Sequence, residues 1–291
     1  MFFGSIPALV TPFTGGQVDE DAFRDLIEWQ IEEGSSALVP CGTTGEVATL
    51  EMDEQYRMFA IAVDQARGRV PIIAGCGSNS TATAITHMAV AKTAGATAAL
   101  VVIPYYNKPS QAGIAAHFRA LADACDLPII VYNVPSRTVA DISVETLGEI
   151  SRLPSIVGVK DASGNLARVA AQRLACGPEF CQLSGNDETA LGFNAMGGVG
   201  CISVTANVAP RLCAEFQAAT REGRWNDALA LQDKLYPLHD AMFSDASPGP
   251  VKYALSKVRH GFPTELRLPL TEPSLESRAA VDAALVNAGL I

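Results

Sequence analysis

Lys160 sits in the run Ile156-Val157-Gly158-Val159-Lys160-Asp161-Ala162, where a charged amine would lose most of its hydration. An amine kept neutral in such surroundings is a nucleophile toward carbonyl carbon, which is what a Schiff-base lysine requires. The competing reading is a strand-end lysine that snorkels to solvent or pairs with Asp161. Tyr132 precedes it by one βα unit, in Val131-Tyr132-Asn133-Val134-Pro135-Ser136-Arg137. A phenol there can donate and accept protons while a carbinolamine loses water, although a tyrosine packed in a barrel lining looks the same in sequence. Arg137, in the loop beyond, suits two-pronged carboxylate binding; a surface ion pair is the alternative. Gly42-Thr43-Thr44-Gly45-Glu46 places two hydroxyls between glycines, so that backbone amides can approach a ligand, or Thr44 caps the next helix. Tyr105 and Tyr106, in Pro104-Tyr105-Tyr106-Asn107, fit either proton relay or an interface. Ser184-Gly185-Asn186-Asp187 reads as a helix-capping turn, with Gly185 giving a ligand access to backbone.

Elements must bring these residues together. Short runs at 6–12, 36–41, 70–75, 98–104, 128–133, 156–161, 180–184 and 199–204 are mostly apolar on both faces, as strands covered on both sides must be. Helical patterns fill the gaps: 19–33, with Asp19 as N-cap, then 53–67, 80–94, 111–125, 143–151, 165–175, 187–196 and 207–222. Gly34, Gly68, Gly95 and Gly177 stand just past helix ends, where glycine favours a left-handed cap. Eight βα units predict an α/β fold, a closed (β/α)8 TIM barrel, with the motifs above at the C-terminal strand ends where barrel enzymes build their sites. Residues 225–243, 249–260 and 274–288 read as further helices. The expected organisation is a catalytic barrel over residues 1–224 and a small C-terminal helical domain over residues 225–291. Gly197-Gly198-Val199-Gly200 enters a strand rather than leaving it, so it reads as a tight turn and not a phosphate cradle.

Bulk properties exclude several classes. The 291 residues carry a formal net charge of -10, which argues against a nucleic-acid partner. No apolar run reaches the roughly 18 residues of a membrane span, and Met1-Phe2-Phe3-Gly4-Ser5-Ile6 lacks the basic start of a signal peptide. Seven cysteines, an odd number without CxxC spacing, predict reduced thiols and a cytoplasmic location. His87, His117, His239 and His260 form no i, i+4 ligand pair, so no metal is expected. No GxGxxG follows the first strand and no nucleophile elbow occurs.

The chain resembles the dihydrodipicolinate synthases, pyruvate-condensing enzymes of the N-acetylneuraminate lyase superfamily of class I aldolases. The resemblance runs nearly end to end. It is carried by Gly42-Thr43-Thr44-Gly45-Glu46, Pro104-Tyr105-Tyr106-Asn107, Tyr132-Asn133-Val134-Pro135-Ser136-Arg137, Val159-Lys160-Asp161-Ala162-Ser163, Ser203-Val204-Thr205-Ala206-Asn207 and Pro250-Val251-Lys252. It implies a Schiff base between Lys160 and pyruvate, and condensation with aspartate semialdehyde in lysine biosynthesis. Tyr132, Thr43 and Tyr106 would form the proton relay, with Tyr106 reaching in from a neighbouring subunit. Thr44 would hold the pyruvate carboxylate, Arg137 the carboxylate of the aldehyde substrate, and Gly185 and Ile202 would line the pocket through backbone. The family implies a homotetramer built from tight dimers and no cofactor, since the lysine is itself the electron sink. One departure concerns regulation. Members inhibited by lysine carry Ser, His, His and Glu where this chain has Val47, Met52, Gln55 and Thr83, while Asn79 and Tyr105 are retained, so inhibition by lysine should be weak or absent. Sister aldolases acting on N-acetylneuraminate or 2-keto-3-deoxy sugar acids share the lysine and tyrosine. Arg137 and the paired Tyr105-Tyr106 favour a short aldehyde bearing a carboxylate. A non-catalytic binding module would not need the full relay.

Overall fold

The computed structural model describes residues 2–291, so Met1, the first residue of the expected barrel, lies outside it. Strand β1 (Gly4–Pro7) leads into a hairpin of β2 (Phe13–Thr14) and β3 (Gln17–Val18). The hairpin turn is Gly15-Gly16, with φ of 60° and 79°, the backbone a two-residue hairpin needs and glycine adopts freely. Next come α1 (Glu20–Glu32), α2 (Met52–Ala66), β4 (Ile73–Gly75), α3 (Thr81–Thr93), β5 (Ala98–Val102) and α4 (Gln111–Ala124). Then follow β6 (Ile129–Asn133), α5 (Pro135–Thr138), α6 (Val144–Ile150), β7 (Ile156–Asp161), α7 (Ala167–Cys176), β8 (Cys181–Ser184), α8 (Ala190–Ala195), β9 (Gly200–Ser203) and α9 (Pro210–Arg221). Helices α10 (Trp225–Ala241), α11 (Gly249–Val258) and α12 (Leu275–Ala288) complete the chain, with α10 packed on both α9 and α12. Among the described residues no helix is long and apolar enough to cross a membrane.

Seven strands pair in parallel in the order β1-β9-β8-β7-β6-β5-β4. Residues 36–41 join the two ends of this sheet, since Ala8 bridges Val39 and Leu38 bridges Ile72, both in parallel. The architecture is a (β/α)8 TIM barrel. The expected second strand is thus reduced to isolated bridges. Pro40 has no N–H to give and Cys41 turns left-handed at φ 54°. The expected first strand, 6–12, stops at Pro7. Beyond it Asn207 takes over the pairing: its Oδ1 accepts from Val10 N–H at 3.1 Å and its Nδ2 donates to the Ala8 carbonyl at 2.8 Å.

Two apolar layers explain why the strands are apolar on both faces. Ile6, Val39, Ile73, Leu100, Ile130 and Leu183 fill the barrel interior, while Phe23, Leu26, Met58, Phe59 and Phe118 pack between strands and helices. Helix ends follow the predicted chemistry. The Asp19 side chain accepts from Ala22 N–H at the start of α1, and Gly34, Gly68, Gly95 and Gly177 all have positive φ.

Candidate active site

Strand alternation decides the fate of Lys160. Successive side chains of β7 point to opposite faces. Asp161 turns toward the helices, where its carboxylate accepts from Ser163 N–H (2.8 Å), Arg168 Nε (3.0 Å) and Gln172 Nε2 (2.6 Å). Lys160 therefore turns inward, is 5% exposed, and is not paired with Asp161. Tyr132 is its register partner across β6 and β7. The Lys160 Nζ stands 4.2 Å from the centre of the tyrosine ring, over its face. Both residues line a cavity of about 530 Å³.

The same cavity collects Thr43, Thr44, Arg137 and Gly185. Thr43 and Thr44 lie in a short 3-10 turn whose N-cap is Gly42, so Thr44 does not cap a helix. Helix α2 is instead capped by Glu51, whose N–H donates to the Glu54 carboxylate at 2.9 Å. Arg137 is in the last turn of α5 rather than in a loop. Pro135 at the first helical position is already shaped for that turn. Asn133 secures the segment behind it, donating to Asp141 Oδ1 at 2.8 Å and accepting from Ile142 N–H at 3.3 Å. Among the described residues Arg137 forms no ion pair, and it lines the cavity. Gly185 must be glycine on steric grounds. A Cβ there would come within 2.6 Å of Ala162 Cβ and 3.1 Å of Lys160 Cε. The turn at 184–187 does not cap α8 through a side chain. Asp187 reaches across to accept from Val204 and Thr205 N–H at 2.8 and 3.2 Å.

Two of the expected residues, Ile202 and Tyr106, are not among those that line this cavity. Ile202 is fully buried on β9 opposite Ile6, within the interior apolar layer. Tyr106 is 89% exposed, and its φ of 70° is unusual for a bulky residue.

Part of the lining was not anticipated from sequence. Tyr236, His239 and Asp240 of α10, with Phe243 and Ser247 beyond it, line the cavity together with Asn186 and Glu188. His239 is held through Nδ1 by the Thr205 hydroxyl at 2.8 Å. Burial pushes its imidazole below the usual range, with Asp187 and Glu188 opposing. The motif around Thr205 was legible, but its partner lay in a helix assigned to the C-terminal segment. Cys41 also lines the cavity, yet burial pushes its thiol above the ordinary value, so it is no rival nucleophile. Among the described residues no cluster of His, Cys, Asp and Glu could hold a metal ion.

The profile of the Dihydrodipicolinate synthetase family matches residues 1–288. A 4-hydroxy-tetrahydrodipicolinate synthase from Rhizorhabdus wittichii is 68% identical over 290 residues, covering all of both chains. One from Zymomonas mobilis is 65% identical over 291 residues, again covering both completely. A crystal structure of chloride-inhibited dihydrodipicolinate synthase from Acinetobacter baumannii, complexed with pyruvate, superposes with a TM-score of 0.97 at 42% identity, covering all of both chains.

Proposed function

The chain belongs to the Dihydrodipicolinate synthetase family, and from that premise we propose that it condenses pyruvate with L-aspartate-4-semialdehyde to give 4-hydroxy-tetrahydrodipicolinate, as a Schiff-base lyase of lysine and diaminopimelate biosynthesis. The observation that carries the reading is the inward Lys160, buried, free of Asp161 and in register with Tyr132.

The unprotonated Lys160 amine attacks the pyruvate ketone, and loss of water from the carbinolamine gives an imine. Tyr132 lies beside the amine and moves protons in that dehydration, with Thr43 next in the relay. The protonated imine draws electrons from the adjacent methyl, which loses a proton and becomes the enamine nucleophile. The enamine carbon attacks the aldehyde. The amine of the second substrate then closes the ring by displacing Lys160 from its carbon, which returns the free enzyme. Thr44 holds the pyruvate carboxylate and Arg137 that of the aldehyde substrate. With both anions held, the carbon–carbon step becomes effectively unimolecular. Gly185 supplies backbone and space beside the lysine. Ile202 contributes only main-chain atoms, in keeping with its buried side chain. Tyr106, exposed on a left-handed backbone, completes the relay of a neighbouring protomer in a homotetramer. The reaction needs no added cofactor, and the chain works in the cytoplasm. Residues 225–291 form a helical domain that walls one side of the cavity, on the barrel of residues 1–224.

The test is a coupled assay in which pyruvate and aspartate semialdehyde are supplied and a reductase reports product through NADPH oxidation. Turnover should vanish in Lys160→Ala, along with borohydride trapping of pyruvate. Trapping without turnover would keep the Schiff base and point to sugar-acid substrates. Turnover that survives in Lys160→Ala would sink the reading.

A further inference from the structure

Outside the cavity the chain buries a second lysine. Lys252, on α11, is fully buried, as is the side chain of its partner Glu46. Lys252 Nζ donates to Glu46 Oε1 at 2.5 Å and to the Glu265 carbonyl at 2.6 Å, and stands 4.4 Å from the centre of the Phe13 ring. The other oxygen, Glu46 Oε2, accepts from Arg267 N–H at 3.0 Å. Arg267 in turn grips Glu54 with two contacts (2.7 and 2.6 Å), donates to the carbonyls of Thr49 and Gly16, and covers the same Phe13 ring. The charges balance, and each oxygen of the Glu46 carboxylate has a donor.

Glu46 directly follows Thr43-Thr44-Gly45. That turn is bounded by two non-glycine residues in left-handed backbone, Cys41 at φ 54° and Glu46 at φ 55°. Each such residue costs roughly 1–2 kcal/mol, so the turn does not hold itself. Its main-chain bonds are short in range, Gly45 N–H to the Gly42 carbonyl, Glu46 N–H to the Thr43 carbonyl and Thr49 N–H and hydroxyl to the Glu46 carbonyl, with the Thr11 hydroxyl to the Gly45 carbonyl as the one tie to another strand segment. Nor can a ladder hold it, because the preceding segment pairs only through isolated bridges. A buried ion pair is a poor choice for stability alone, since well-packed apolar residues of similar size usually do as well or better. What it supplies here is a direction: a fixed anchor for the residue that closes the threonine turn.

We infer that Glu46 and Lys252 are positioning residues, and that their ion pair, braced by Arg267, sets the Thr43–Thr44 turn against the cavity at the end that receives the pyruvate carboxylate. The inference rests on the reading that Thr44 holds that carboxylate. Neither residue lines the cavity, so both act through the turn.

The test compares Lys252→Met, Glu46→Gln and the double variant by thermal unfolding, by KM for pyruvate and kcat, and by borohydride trapping of pyruvate. Each single variant strands a buried group without its counter-charge and should lose stability. The double variant removes both charges and should recover most of the melting temperature. A merely structural pair would restore KM together with stability. The positioning role predicts that KM for pyruvate stays raised about tenfold in the stabilised double variant, the scale of one weakened hydrogen bond to a charged group. Recovery of a wild-type KM overturns the inference. If the double variant fails to fold, Glu46→Asp carries the test, because it keeps the charge but shortens the arm that anchors the turn. A folded Glu46→Asp protein with unchanged KM for pyruvate overturns the inference equally. Wild-type protein that traps no pyruvate brings down the functional reading first, whereas trapping with unaffected variants brings down only this one.

Discussion

Gly185→Ala tests the site with a single methyl group. Gly185 does not occupy left-handed backbone, so alanine adds no torsional strain there and the effect is one of space. The new Cβ would stand 2.6 Å from Ala162 Cβ, 3.2 Å from Ala162 Cα and 3.1 Å from Lys160 Cε. The first distance is most of an ångström inside ordinary contact and involves two strand ends, so the backbone must part or the lysine must swing. Overpacking of this kind costs roughly 1–3 kcal/mol of stability. A nucleophile displaced by about 1 Å can lose on the order of 100-fold in rate. The expected result is therefore a folded protein with a lower melting temperature, a kcat reduced about 100-fold and slower borohydride trapping of pyruvate. Adding Ala162→Gly removes the worst contact but leaves the one to Lys160 Cε. The double variant should regain stability while activity recovers only in part. A Gly185→Ala protein with wild-type kcat and trapping rate would refute the argument that the end of β8 bounds the space in which Lys160 works.

Two further outcomes follow from other parts of the structure. His117 is pushed down to about 4 by burial, and His87 and His239 are lowered for the same reason; in the unfolded chain these rings take a proton near pH 6.5. Between about pH 6.5 and 4 the unfolded state thus binds more protons, so stability falls as pH falls. Urea unfolding across that window should show the decline and His117→Gln should flatten part of it; a flat profile in the wild type would contradict the assignment. Lysine should inhibit weakly or not at all, because Gln55 is buried with its amide donating to the Leu50 carbonyl at 3.1 Å and the Val47 side chain offers no polar atom. Half-inhibition well below a millimolar in the coupled assay would reverse that conclusion.

Much of this was legible because it follows from local rules. Apolar runs on both faces call for strands covered on both sides, and the strand-end polar residues then fall at one mouth. Asp19 and the positive-φ glycines marked helix limits correctly. The bridges at 36–41 were less legible, since prolines at positions 7, 40 and 71 break a ladder without disturbing the apolar pattern. The hairpin at Gly15-Gly16 did carry a signal, a glycine pair between alternating residues. The single helical turn holding Arg137 was masked by its length, which is too short for any periodicity. The α10 wall and the Glu46–Lys252 pair join residues far apart in sequence, and no spacing rule reaches across such distances.

The way the barrel closes links these observations. Consecutive βα units place consecutive strands side by side, so Tyr132 and Lys160 are held by the parallel ladder that runs in register from Ile130 and Gly158 to Asn133 and Asp161. The threonine turn stands on the opposite footing. It leaves the segment with the fewest ladder bonds, between two left-handed residues, and must still present its hydroxyls to the same cavity. Its further contacts come from the C-terminal region: Lys252 and the Arg267 N–H meet the Glu46 carboxylate, and both cations stand over the Phe13 ring. Lys160 is held by the sheet, whereas the residue that closes the threonine turn is tied to a lysine more than two hundred residues away. Damage to the C-terminal helices should therefore appear first as weaker pyruvate binding, with Lys160 chemistry lost only when the barrel itself unfolds.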